Sequence, residues 1–100
     1  MTITKTVENN TVILSVEGWL DTKASPKLGK EIDALSDMEA LVLDFEKLEY
    51  IASSGLREIL AAYKKMQGMN GTFSVINVGN EVMEIFKLAG FDKKLDIRGK

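Results

Sequence analysis

Ser53, Ser54 and Gly55 stand between a short apolar run and an amphipathic stretch. Two hydroxyls and a glycine at the mouth of a helix have two chemical uses. They are caps, because a serine oxygen accepts a hydrogen bond from an unpaired first-turn N–H group. They are also a phosphate site, because the same N–H groups and the helix dipole favour negative charge. The residues alone leave both uses open. Other chemistries are closed, since the 100 residues include no cysteine and no histidine. Thiol catalysis, a disulfide framework, zinc sites of the usual kind and Ser-His-Asp chemistry are therefore excluded. No nucleophile–base pair and no G-x-x-x-x-G-K loop occurs, and Asn77-Val78-Gly79-Asn80 is too short for a nucleotide loop. We expect a binding protein rather than an enzyme, with no cofactor and no metal.

Composition narrows the partners. A net charge of −2, with no Lys/Arg cluster longer than two residues, argues against direct nucleic-acid binding. The N-terminal Met-Thr-Ile-Thr-Lys-Thr-Val-Glu has no apolar core of a signal peptide. No apolar run reaches the ~18 residues that suggest a membrane span. We therefore expect a cytoplasmic chain with no membrane insertion. With 45% hydrophobic residues, positions 1–100 are expected to fold as one domain.

The serines must be positioned by the elements around them. Leu41 to Phe45 reads as a central strand, apolar on both faces and covered by helices. Glu46-Lys47-Leu48-Glu49 is expected to turn, with Tyr50-Ile51 leading to the serines. Leu56, Ile59, Leu60, Tyr63 and Met66 then recur at helical spacing, and Gly68 ends that helix behind Lys64 and Lys65. Upstream, Ile3, Lys5 and Val7 alternate with threonines. Glu8-Asn9-Asn10 turns, and Thr11 to Glu17 forms a second strand with Val12, Leu14 and Val16 on one face.

Gly18-Trp19-Leu20-Asp21-Thr22 ends that strand. Trp19, the single tryptophan, is expected to be partly buried at the sheet edge; the alternative is an exposed aromatic anchor for a partner. Asp21 and Thr22 turn the chain. Ser25 and Pro26 read as N-cap and first position of a helix from about Ala24 to Leu35, with Leu28, Ile32 and Leu35 inward and Gly29 weakening it. Phe73 to Val78 is a strand. Asn80 caps a last helix with Val82, Ile85, Phe86 and Ala89 as its stripe, Gly90 stops it, and Leu95 and Ile97 add a final strand. The order β-β-α-β-α-β-α-β implies an α/β fold: a mixed, mostly parallel sheet of about four to five strands with an antiparallel N-terminal piece. Ligand sites in such sheets lie beyond the carboxyl ends of the strands. The Gly18–Thr22 and Tyr50–Gly55 loops both follow strands and are expected to meet there.

These residues carry a resemblance. Gly18-Trp19-Leu20-Asp21-Thr22 resembles the G-x-L-D-x motif of the STAS domain, the fold of bacterial anti-sigma factor antagonists. Leu43-Asp44-Phe45 and Tyr50-Ile51-Ala52-Ser53-Ser54-Gly55-Leu56 resemble its signature of a central strand, an aromatic, an aliphatic residue, D-S-S-G or D-S-T-G, and leucine. Phe73–Val78 and Val82 to Phe91 look like its last strand and helix. Ala52 departs from the pattern, standing where aspartate is usual.

The resemblance implies a partner switch. In that family an anti-sigma factor, itself a serine kinase using ATP, binds the unphosphorylated antagonist and releases its sigma factor. Phosphorylation ends the complex and a serine phosphatase resets it. By position the phosphoacceptor is Ser53, with Ser54 as the alternative. The implied partner surface comprises Trp19, Asp21, Thr22, Ser53, Ser54, Gly55 and Arg57. The family also holds unswitched members, so a subunit of a phospholipid ABC-transport complex is the competing expectation.

Overall fold

The computed structural model describes residues 1–100. Strands β1 (Thr2–Glu8) and β2 (Thr11–Leu20) form the expected antiparallel hairpin. Val12, Leu14 and Val16 of β2 are buried, while β1 is exposed except for half-buried Ile3. After them come helix α1 (Ser25–Asp33), strands β3 (Ala40–Asp44) and β4 (Leu48–Ile51), helix α2 (Ser53–Gly68), strand β5 (Thr72–Val78), helix α3 (Asn80–Leu88) and strand β6 (Asp96–Gly99).

The sheet order is β1-β2-β3-β5-β6, with β4 also paired to β2. Every pair beyond the hairpin is parallel. From β2 onward the strands advance in one direction across the sheet. Right-handed crossovers then place all three helices on the same face. Burial agrees: Leu28 and Ile32 of α1, Ile59, Ala62 and Met66 of α2, and Val82 and Phe86 of α3 join Leu41, Leu43, Phe45 and Val75 in one core. The opposite face carries Ile13, Ser15, Val42, Asp44, Ser74 and Ile76, all only half-buried. This corrects the reading of Leu41–Phe45 as covered on both faces. Val42 is apolar but lies on the side without helices, where it is only half-buried.

A second correction concerns 46–49. Instead of a turn running on to the serines, Leu48–Ile51 forms β4, giving six strands rather than four to five. β3 pairs with Thr11–Ser15, the chain steps aside at 45–47, and β4 then pairs Gly18↔Leu48, Trp19↔Tyr50 and Leu20↔Ile51 on the same strand. Gly18 takes φ +96° where the register shifts, and its N–H donates to the Lys47 carbonyl at 3.0 Å. Only glycine reaches that conformation without strain.

Helix ends differ in detail. Ala24, not Ser25, is the N-cap of α1, which ends at Asp33 although Leu35 is buried. Its last carbonyls, of Ile32 and Asp33, accept from the Lys65 ammonium of α2 at 2.8 and 3.3 Å. Gly79, not Asn80, is the N-cap of α3, and Ala89 is exposed. Gly90 ends α3 at φ +77°, and α2 ends at Gly68, both as expected. Gly29 does more than weaken α1: a Cβ there would strike the Glu58 carboxylate of α2.

Candidate functional site

Because β2 and β4 lie side by side, their carboxyl ends deliver both motif loops to one edge. The Ala52 N–H donates to the Leu20 carbonyl at 2.9 Å, which fixes the head of α2 beside the Asp21 turn. The two loops meet as expected.

Asp21 organises its own turn. Its Oδ1 accepts the Ala24 N–H at 2.9 Å, and its carbonyl accepts both the Ser25 N–H at 2.9 Å and the Ser25 hydroxyl at 2.6 Å. Ser25 is only 2% exposed and is the one buried polar residue of the chain. Its Oγ also lies 3.0 Å from Ser54 Oγ. A hydroxyl has one proton and a carbonyl has none. Since Ser25 gives its proton to Asp21, Ser54 must be the donor in the bond between the serines. Ser54 is thereby committed to joining α2 to the β2–α1 turn.

Ser53 is different. It is exposed at the first position of α2, after an N-cap that is Ala52 at φ −93°, ψ 169°. That backbone is the one an N-cap requires, yet alanine has no oxygen to use it. Neither serine is the N-cap, so the capping reading fails for both. The first turn of α2 also holds no acidic residue. Its partial positive charge is left without a side-chain counter-charge.

Gly55 is buried, and a Cβ there would sit 2.9 Å from Ile51 Cγ1 and 3.0 Å from Leu20 Cγ. The glycine lets α2 start directly on the β2–β4 pair.

Trp19 is 58% exposed, which corrects the expectation of partial burial. Its neighbour Leu20 points into the core, so Trp19 points to the face without helices, beside the cross-strand Tyr50. The two rings lie 5.2 Å apart at 38°, and Tyr50 is itself 40% exposed. Tyr50 is the surface residue that the sequence reading missed. The available signal was the inward pair Leu20 and Ile51, which forces the cross-strand residues beside them outward.

Thr22 and Arg57 are exposed. With Pro26, Ser54 and Glu58 they line a shallow polar depression floored by Ser25. The single ion pair of the chain joins Arg98 and Asp96 at 2.9 Å, so Arg57 has no carboxylate partner. The site therefore offers an exposed hydroxyl, a free guanidinium, a helix N-terminus and an exposed aromatic pair. These are groups that recognise a partner by hydrogen bonds, charge and aromatic contact. No helix is long and apolar enough to cross a membrane.

A one-way-wound, mostly parallel sheet with a G-x-L-D turn hydrogen-bonded to a Ser-Ser-Gly helix head defines a class of binding domain, not a catalytic fold. The chain belongs to the STAS domain family, whose model matches residues 2–100. The anti-sigma-F factor antagonist RsfB of Mycobacterium tuberculosis is 30% identical over 95 residues, spanning 93% of this chain and 77% of RsfB. An anti-sigma factor antagonist from Mycobacterium paratuberculosis superposes with a TM-score of 0.89 at 28% identity, over 99% of this chain and 86% of that one. The antagonist SpoIIAA in its unphosphorylated form gives 0.78 at 17% identity, over 99% and 88%. Its phosphorylated form, from Bacillus, gives 0.77 at 19%, over 96% and 90%. The SpoIIAA likenesses show the shared fold. An antagonist of this kind acts by binding and not by catalysis.

Proposed function

We propose that this chain, as a single STAS domain of residues 1–100, is a cytoplasmic anti-sigma factor antagonist switched at Ser53. Unmodified, it binds an anti-sigma factor with serine kinase activity, and the sigma factor is released. The kinase then transfers the γ-phosphoryl group of ATP to Ser53 Oγ; ADP leaves and the hydroxyl proton is lost. A serine phosphatase restores the hydroxyl. The observation that carries this reading is the contrast between the serines: Ser53 is exposed at the head of α2, while Ser54 is held by Ser25. Antagonist names among the relatives, and a phosphorylated member of the fold, support it.

The energetics favour a switch in the interface rather than in the domain. A phosphoserine adds about −1.5 to −2 charge. At the uncompensated head of α2 this contributes roughly 0.3 to 1 kcal/mol of stability. A partner packed over Ser53 would instead bury an unpaired charge, at a cost of several kcal/mol. Since about 1.4 kcal/mol is tenfold in affinity, that dissociates a micromolar complex. The partner surface in this reading is Asp21, Thr22, Ser53 and Arg57, flanked by Trp19; of the residues expected there, Gly55 is buried under the head of α2 and Ser54 is held by Ser25, so both support the surface from beneath.

The test is capture from native lysate with wild type and Ser53→Asp, followed by mass spectrometry. Wild type is expected to retain an ATP-binding serine kinase that the Asp variant loses, with thermal stability unchanged or slightly raised. If both forms retain the same membrane-transporter subunits, the chain is an unswitched subunit and the antagonist reading fails. A sharp fall in the stability of Ser53→Asp would move the switch from the interface into the fold.

A further inference from the structure

We propose that Arg57 clamps the phosphate of phosphorylated Ser53, so that modification also withdraws this guanidinium from the partner. The inference rests on the reading of Ser53 as phosphoacceptor. It is carried by position, freedom and geometry together.

Ser53 and Arg57 are one turn apart in α2, both exposed, on the side away from Ile59, Ala62 and Met66. Helical side chains lean toward the N-terminus. Arg57 is therefore directed toward the first turn, and it lines the depression there together with Thr22, Ser25, Ser54 and Glu58. It is not engaged elsewhere, since the single ion pair is at Arg98 and Asp96. The adjacent carboxylate, Glu58, is packed at Gly29 of α1.

A phosphoserine presents three strong acceptor oxygens, and the planar guanidinium fork matches two of them. The anion precedes the cation by four residues, the better order for a helical pair. The first-turn N–H groups face the phosphate from the other side. In the unmodified chain Arg57 is free for the partner; in the modified chain it is occupied. One side chain thus serves both states.

The test installs phosphoserine at position 53 during synthesis of the full chain, without any kinase, and titrates the phosphate by phosphorus NMR. The second ionisation is expected a few tenths of a pH unit lower with Arg57 present than in Arg57→Gln. Arg57→Lys should recover part of the shift. Lys64→Gln, which removes a cation three turns from Ser53 on the same helix, should leave it in place. Coincident titrations of wild type and Arg57→Gln, or an equal effect of Lys64→Gln, would overturn the clamp. Failure of the switching reading is seen separately, as absence of phosphate on Ser53 in protein isolated from its native cells.

Discussion

Ser54 donates to Ser25 across 3.0 Å, and the Ser25 hydroxyl in turn donates to the Asp21 carbonyl at 2.6 Å. This relay ties the head of α2 to the turn before α1. It also separates two adjacent serines of identical chemistry: Ser54 is held by Ser25, and Ser53 is exposed.

Ser25→Ala and Ser54→Ala are each expected to cost about 0.5–1.5 kcal/mol, the usual net worth of an intramolecular hydrogen bond. The double variant should lose less than the sum, with a coupling of roughly 0.5 kcal/mol or more. Urea unfolding of all four forms measures it. Strictly additive losses would mean that the two hydroxyls do not interact.

Ala52 holds N-cap backbone angles with no oxygen to exploit them. Ala52→Asp should therefore stabilise the chain by about 0.5–2 kcal/mol, seen as a higher urea midpoint at unchanged slope. The helix end lowers the pKa of the introduced carboxylate in the folded state. Its contribution is thus present above the unfolded value of about 3.9 and lost as pH falls through the lower folded value. A midpoint equal to wild type at neutral pH would count against this helix start.

Gly55→Ala sets two effects against each other. Helix propensity favours alanine by roughly 1 kcal/mol. The new Cβ, however, would crowd Ile51 at 2.9 Å and Leu20 at 3.0 Å, both buried side chains near their own backbones. Overpacking of this kind costs about 1–3 kcal/mol, so the expected result is net destabilisation. A rise in melting temperature would show that α2 can lift off the β2–β4 pair cheaply.

The Trp19–Tyr50 pair lies beside the proposed interface and is exposed in the free chain. Truncating either ring should weaken the captured partner by more than tenfold, as for a hot-spot aromatic worth about 2 kcal/mol. Stability should change by less than the ~1.5 kcal/mol upper range of an aromatic pair. Calorimetric titration and thermal melts separate the two. Unchanged binding with a large loss of stability would make the pair a structural one.

The hairpin, the three helices, the core face of β2 and the place of Ser53 at a helix head were legible in the sequence, and so was most of the core face of α2, where Ile59 and Met66 are buried as expected but Ala62 takes the inward place expected of Leu60. These rest on local periodicity: Val12, Leu14 and Val16 at spacing two, and Ile59, Tyr63 and Met66 at three and four. Gly90 as a helix stop is local in the same way. The tertiary structure alone decided the rest. β4 shows inward residues only at Leu48 and Ile51, a pattern without a period, and exists because the end of β2 is free to pair with it. Trp19 is exposed because all helices wind onto the other face, which depends on sheet order and not on Trp19. The roles of the serines were decided in the same way. Ser53 and Ser54 are chemically equal in the sequence, and the hydroxyl that distinguishes them is Ser25, 29 positions away and brought within hydrogen-bonding distance only by the fold.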